Sequence, residues 1–127
     1  MANMILSFRA KVEHGCLVVR AVEAEDDLTD WDPRVENWYK SGSSMIFGVL
    51  PAAEGPIEVE VWDQIPAQAL PIELFSDVIS PKSGILVIHD PNEDVQMRFR
   101  SAVGNARLSA LVDDATFPSR VQLIVEK

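Results

Sequence analysis

The sequence predicts an all-β protein, an antiparallel β-sandwich of about eight to nine strands, with one short helix near residues 33–40. Apolar and polar residues alternate with a period of two along much of the chain, most clearly in Ile-Glu-Val-Glu-Val-Trp at 57–62. This period is typical of half-buried strands. Short segments of this kind recur at roughly even spacing between Gly, Pro and Asn turns, as in sandwiches. Strands do not alternate regularly with helices, which disfavours a parallel α/β sheet.

Nine segments are predicted as strands. The first, 4–12, is followed by a tight turn at His14-Gly15 and by its predicted hairpin partner, 16–22. The other predicted strands are 44–50, 57–62, 70–75, 85–88, 95–100, 107–112 and 121–125. Residues 64–71 contain two prolines and two alanines, and we predict that they cross from one sheet to the other. Gly104-Asn105 is predicted to form a further turn.

One helix of about two turns is predicted over 33–40. Asp32 is a good N-cap acceptor, Pro33 suits the first helical position, and Gly42 can adopt the left-handed conformation that ends a helix. Asp30 and Asp32 would also complement the positive N-terminal end of the helix dipole. The pattern therefore gives some acidic residues a structural role.

Composition predicts one domain spanning 1–127, long enough to bury a core of its own. The chain has 20 acidic and 11 basic residues, for a net charge of −9. Direct nucleic-acid binding is disfavoured, because it requires Lys and Arg to displace counterions from phosphates. An anionic membrane surface would also repel the chain. The natural counterpart is a basic protein or a divalent cation, unless the charge serves solubility alone.

Cys16 is the only cysteine, so no intrachain disulfide can form. Its apolar neighbours predict a small buried side chain, the usual state of a free cysteine, and not a nucleophile. The N-terminus lacks a basic region followed by a long apolar run, and no stretch of about 20 apolar residues occurs. We therefore expect a cytoplasmic protein.

The densest charge lies at residues 23–36, which we call the acidic segment. Seven of its fourteen residues are carboxylates, and Arg34 is its only basic residue. The segment joins two predicted strands, so we expect a surface connection on a rigid scaffold, where binding residues concentrate. The partner-binding residues predicted here are Glu25, Asp26, Asp27, Asp30, Trp31 and Asp32.

A second group of partner-binding residues is predicted on the strand at 57–62. Glu58, Glu60 and Trp62 share one side of this strand, and the alternation places that side outward. An outward tryptophan surrounded by charge is typical of a binding surface. In the alternative interpretation, the strand twists and Trp62 covers a sheet edge.

Calcium binding is the main chemical alternative for the acidic residues. The EF-hand pattern fails, because Arg34 occupies a ligand position and no glycine follows at the turn. Aspartates from separate loops could still hold the ion. The candidates are Asp26, Asp27, Asp113 and Asp114.

No enzyme and no resident cofactor are predicted. His14 and His89 are expected to be turn residues, because the sequence lacks the ligand spacing of a zinc site. The sequence contains no nucleophile elbow, phosphate-binding glycine loop or dinucleotide fingerprint. The pair Glu58 and Glu60 is best explained as a solvated sheet face.

The order of elements is also informative: a hairpin, the Asp30-Trp31 segment, a short helix around 36–39, a strand with Phe47, an alternating valine strand and a late hairpin. With Asp30-Trp31, Tyr39 and Phe47 as its residue-level marks, the chain resembles the competence protein J family. Those proteins are small acidic β-sandwich inhibitors of the bacterial DNA-entry nuclease. The resemblance implies a protein that blocks a nuclease by presenting carboxylates where nucleic-acid phosphates would sit.

The features together predict a non-enzymatic binding protein of the inhibitor or immunity type. It would dock a basic protein, such as a nuclease or toxin, through its acidic, tryptophan-containing surface. Two alternatives stay open. One is a calcium- or small-ligand-binding accessory domain, and the other is a structural homo-oligomer joined through a sheet face or an edge strand.

Overall fold

The computed structural model describes residues 1–101 and 105–126 and forms two five-stranded sheets packed face to face. The strands are β1 (Met4–Ala10), β2 (Cys16–Ala21), β3 (Trp38–Ser41), β4 (Ser44–Gly48), β5 (Ile57–Trp62), β6 (Ile72–Ile79), β7 (Ile85–His89), β8 (Gln96–Arg100), β9 (Ala106–Val112) and β10 (Arg120–Glu126). A single 3-10 turn at Ala52–Glu54 is the only helix among these residues. The predicted all-β sandwich is confirmed. The predicted turn at Gly104 lies outside the described residues.

We call the sheet with order β1-β5-β10-β9-β6 the front sheet and the sheet with order β3-β4-β2-β7-β8 the back sheet. Strand neighbours are antiparallel, apart from the parallel pair β5 and β10. Within the described residues, no helix has the length and apolar character needed to span a membrane.

The core lies between the inner faces of the two sheets. Leu17 and Phe47 enter it from the back sheet and Val59 and Leu123 from the front sheet, all fully buried. The ring centroids of Phe47 and Phe75 lie 5.5 Å apart, a distance that favours tilted aromatic packing. Alternating apolar residues on both sheets thus meet in one layer, as the period-two pattern predicted.

The predicted hairpin of the first two strands is wrong. β1 pairs with β5 in the front sheet, whereas β2 pairs with β4 and β7 in the back sheet. The physical reason is the different burial of the two strands, since β2 is apolar on both faces and needs a central position covered on both sides. The outward Cys16 and Val18 are buried, as are the inward Leu17 and Val19.

The predicted sheet-to-sheet crossing at 64–71 is also wrong, because β5 and β6 belong to the same sheet. The segment instead passes over the outer face of β10. There the Gln122 amide donates to the Gln68 carbonyl at 3.3 Å, and its oxygen accepts the Leu70 N–H at 2.8 Å. Gln122 is buried. These hydrogen bonds satisfy its side-chain amide and hold residues 64–71 against the front sheet.

The predicted helix at 33–40 is wrong. A single turn follows Asp32, whose carbonyl accepts the N–H groups of Val35 and Glu36 at 3.0 Å, and the chain then enters β3. Trp38 and Tyr39 pair with β4 and pack against the apolar clusters, and a short isolated helix is only marginally stable. Gly42, with φ of 57°, forms the β3–β4 turn instead of a helix end.

Candidate protein-docking surface

The acidic segment lies across the outer face of the back sheet. A second, smaller apolar cluster forms there from Cys16, Val18 and Ile46. Leu28 and Trp31 of the segment pack against this cluster, so its apolar residues anchor it while most of its carboxylates face outward. This second layer explains why both faces of β2 are buried.

Two further contacts fix the ends of the acidic segment. At its beginning, the Arg20 guanidinium donates to the carbonyls of Val22 and Ala24 at 3.1 and 3.4 Å. Near its end, the Trp31 indole N–H donates to the Glu36 carbonyl at 2.9 Å. Arg20 therefore serves mainly to hold the backbone, and its carboxylate partner is Glu93, outside the segment, at 3.8 Å.

Glu23 and Asp26 are bound to the protein itself by neutral donors. Glu23 accepts the Lys82 N–H at 2.6 Å and the Ser83 hydroxyl at 2.6 Å. Asp26 accepts the Ser43 N–H at 3.0 Å and the buried Ser44 hydroxyl at 2.8 Å. Because these donors carry no net charge, the carboxylates keep theirs.

Asp27 and Asp32 make local contacts. Asp27 accepts the Thr29 hydroxyl at 2.6 Å, and this bond is the main cause of its lowered pKa. Asp32 pairs with Arg34 at 3.1 Å, and the hydrogen bond from Arg34 lowers the pKa of Asp32. Among the carboxylates of the acidic segment, Asp32 is the one that forms an ion pair with a described basic side chain.

Three carboxylates of the segment, Glu25, Asp30 and Glu36, are exposed. Their side chains make no hydrogen bond or ion pair to the described part of the chain. They lie at intervals along a segment that is fixed from beneath by Trp31. These three carboxylates therefore carry their charge toward solvent on a segment that Trp31 anchors to the back sheet.

Glu58, Glu60 and Trp62 lie on the outer face of the front sheet, opposite the acidic segment. Trp62 is half-buried, and its indole N–H donates to a Glu60 oxygen at 3.2 Å. The Gln122 amide donates to the same oxygen at 3.0 Å. The two groups of residues predicted from the sequence are therefore on opposite faces and do not form one surface.

The calcium candidates are also separated. Asp26 is bound at the β3–β4 turn, whereas Asp113 and Asp114 lie in the loop after β9, at the other end of the sandwich. Within residues 1–101 and 105–126, no three His, Cys, Asp or Glu side chains come together as metal ligands would. The described residues do not supply the loop-gathered site that this alternative requires.

Cys16 is buried, as predicted. Burial raises the pKa of its thiol to about 11, with a smaller contribution from Asp90, so the thiol is neutral at physiological pH. His89 is the last residue of β7 and is buried, with its Nε2 accepting the Arg20 Nε–H at 3.1 Å.

Phe117 is an exposed aromatic residue that sequence analysis missed. It lies in the loop at 113–119 between β9 and β10, with 58% of its surface exposed. Asp114 accepts the N–H groups of Thr116 and Phe117 at 2.8 and 2.9 Å. The local signal was an aromatic residue just before Pro118 in an Asp-rich loop, but sequence alone could not exclude its burial.

The loop at 113–119 is rigidly attached to the rest of the sandwich. The Leu50 N–H donates to the Pro118 carbonyl at 2.9 Å, and the Asn37 amide donates to the Ala115 carbonyl at 2.8 Å. Asp113 accepts both the N–H and the hydroxyl of Ser119, at 3.0 and 2.7 Å. Phe117 is therefore held in its exposed position by the fold.

Asp26 gives a first testable prediction. Asp26→Ala should lower the free energy of unfolding by about 1–3 kcal/mol, because the fully buried Ser44 hydroxyl loses its partner. The neighbouring Glu25→Ala variant is the control and should change stability little. Urea unfolding of both variants tests the assignment, and equal unfolding midpoints would contradict a structural role for Asp26.

Glu23 predicts a pH dependence of stability. Its pKa is lowered from 4.5 to about 2, chiefly by the Ser83 hydroxyl and also by the N–H groups of Ser83 and Lys82. A carboxyl with a lower pKa in the folded state stabilises fully above its unfolded pKa, and this contribution is lost as pH falls toward the folded value. Glu23→Gln should therefore be less stable than the native protein at pH 7, and the difference should shrink between about pH 4.5 and 2.

Urea unfolding at several pH values measures that difference. Ser83→Ala removes the main donor and should give a similar pH-dependent loss. A stability gap between Glu23→Gln and the native protein that stays constant from neutral to acidic pH would show that this carboxyl has the same pKa in both states.

Solved structures of other proteins show the same class of fold. No family model matches the chain, and no curated protein sequence matches it. Solved structures, however, share its β-sandwich architecture over nearly their entire length. The chain therefore has a fold that is known in other proteins despite very low sequence identity.

One such structure is ComJ from Bacillus subtilis, the inhibitor of the DNA-degrading activity of NucA. It matches with a TM-score of 0.72 and 7% identity, over 100% of this chain and 98% of ComJ. Another is the product of crocagin biosynthetic gene J, with a TM-score of 0.55 and 14% identity, over 98% of this chain and 97% of that one. At the level of the fold, the resemblance to the competence protein J family is confirmed.

Proposed function

We propose that this chain is a non-enzymatic inhibitor that binds a basic nuclease through its acidic segment. The observation that supports it is a set of exposed carboxylates, on a segment anchored to the sheet by Trp31, that are not neutralised by described basic side chains: Glu25, Asp27, Asp30 and Glu36. The likeness in fold to ComJ, the inhibitor of the DNA-degrading activity of NucA, supports the same class of partner.

The physical basis is charge complementarity. A nuclease must attract the phosphates of its substrate, so its substrate surface is rich in Lys and Arg. Carboxylates fixed on a rigid sheet can occupy the same surface and exclude DNA. Long-range attraction would accelerate the encounter, and the speed of association would fall as salt increases.

The proposal assigns different roles to the binding residues predicted from the sequence. Glu25, Asp27 and Asp30 contact the partner together with Glu36, while Trp31 holds their backbone in place. Asp32 is partly neutralised by Arg34, and Asp26 is structural. The front-sheet residues Glu58, Glu60 and Trp62 lie outside the proposed docking surface, so substitutions on the front sheet can serve as controls.

The test is a titration of DNA-degrading activity. An extract is prepared from the cell that makes this protein, with its gene deleted, and the purified protein is added in increasing amounts. We expect saturable inhibition of DNA degradation at low ionic strength. Degradation that proceeds unchanged at a large excess of the protein would rule out nuclease inhibition as its function in that cell.

A further inference from the structure

We propose that Phe117 is the apolar anchor of the docking surface and inserts into an apolar pocket bordered by Lys or Arg on the basic partner. This inference rests on the proposed function and extends the surface from the acidic segment to the adjoining end of the sandwich. The starting observation is an aromatic ring that is 58% exposed on a loop that the fold holds rigid.

Two cavities that Phe117 lines support an anchoring role. Phe117 lines a cavity of about 310 Å³ together with Leu50, Pro51 and Glu54. It also lines a cavity of about 180 Å³ with Trp31 and Pro33 among its other walls. A partner that covers the ring can therefore also fill these two clefts, and well-packed pockets of this kind are where aromatic residues contribute most to binding.

The second cavity connects Phe117 to the acidic segment. Its walls include Trp31 and Pro33, which flank Asp32 in the sequence. Asp30, next to Trp31, is exposed and without a partner among the described residues. The ring thus adjoins the end of the acidic segment that carries Asp30 and Trp31, whereas Glu25 and Asp27 lie beside Asp26, toward the β3–β4 turn.

The acidic side chains near Phe117 indicate a partner with a basic surface. Glu54 lines the first cavity, and the exposed Asp114 precedes the ring by three residues. Neither cavity has a Lys or Arg among its described lining residues. An exposed apolar group with acidic side chains beside it is complementary to an apolar pocket bordered by basic ones.

Rigidity adds to the expected contribution of Phe117. Asp114 binds the Phe117 N–H, and Pro118 is fixed to Leu50. Because the loop is already ordered, binding costs little conformational entropy, and more of the contact energy contributes to affinity. The anchor should mainly slow dissociation, whereas the carboxylates should mainly accelerate association.

Phe117→Ala tests this division of roles in the titration of DNA-degrading activity. The amount of protein needed for half-maximal inhibition should rise at least about 30-fold, as for an aromatic residue that dominates an interface. The matched control is Ile65→Ala, which removes another large apolar side chain, 60% exposed, from the crossing over the front sheet. That variant should inhibit within about twofold of the native protein.

Salt separates the anchor from the charges. The deficit of Phe117→Ala should persist when ionic strength is raised from about 0.05 to about 0.3 M, because an apolar contact is not screened. Phe117→Leu keeps part of the apolar surface and should lose less inhibition than Phe117→Ala. The melting temperatures of the Phe117 variants should match that of the native protein, since the ring is mostly exposed.

The outcomes distinguish the two proposals. If the native protein inhibits and Phe117→Ala inhibits equally well, the anchor assignment is wrong and the proposed function stands. If the native protein does not inhibit at all, the proposed function fails and the anchor assignment fails with it. If Phe117→Ala only abolishes self-association in sedimentation, with inhibition unchanged, the ring is a contact between copies of this chain instead.

Discussion

Replacing Glu25, Asp30 and Glu36 together with lysine is expected to raise the half-inhibitory amount of the protein about 100-fold at low ionic strength. These three side chains are exposed and make no hydrogen bond or ion pair with the described part of the chain, so the fold should tolerate the change. Reversing their charge converts attraction for a basic partner into repulsion and slows association. At about 0.3 M salt the difference should shrink to a few-fold, because surface charges are then largely screened.

A control variant with the same change in net charge is available on the other face. Glu58, Glu73 and Glu126 lie on the outer side of the front sheet, and replacing all three with lysine reverses the same number of carboxylates. This control should affect inhibition only slightly. If both triple variants lose inhibition equally, total charge and not the acidic segment governs binding.

Trp31→Ala is expected to lower both the stability of the protein and its inhibition of DNA degradation. Trp31 is half-buried against Cys16, Val18 and Ile46, and its indole N–H binds the Glu36 carbonyl. Losing this packing and this hydrogen bond should lower the free energy of unfolding by about 2–3 kcal/mol, less than for a fully buried tryptophan. Inhibition should fall as well, because the carboxylates lose their fixed positions.

Thermal unfolding and the inhibition assay measure the two effects of Trp31→Ala. Trp62→Ala is the control, since Trp62 is also half-buried but lies on the front sheet. It should leave inhibition within about twofold of the native value. A Trp31→Ala protein with native stability and native inhibition would show that the tryptophan does not position the acidic segment.

The sequence predicted the fold class because its main signal, the period of two, is local and is set by burial of one strand face. It failed where pairing partners are distant. His14-Gly15 indicated a hairpin, but β2 is apolar on both faces and takes a central position with β4 and β7. Likewise, Asp32 and Pro33 indicated a helix that does not form: only a turn follows Asp32, and the tertiary contacts of Trp38 and Tyr39 favour a strand.

The candidate site was predicted only in part, for a similar reason. Density of charge located the acidic segment, but sequence could not tell the free Glu25 from the neighbouring Asp26, whose partners Ser43 and Ser44 are distant in the chain. The sequence also predicted partner-binding residues around both Trp31 and Trp62, because it contains no information about which sheet face each tryptophan would occupy. Phe117 escaped notice because a single aromatic residue in a loop has no periodic pattern.

The central position of β10 has a consequence for the synthesis of this protein. On the front sheet, β10 is the strand that joins the β1–β5 pair to the β9–β6 pair. The ribosome makes β10 after the other described strands, so a nascent chain holds every strand of the back sheet before it can close the core. Such long-range pairing slows folding, and we expect partly synthesised chains to expose an apolar sheet face until β10 emerges.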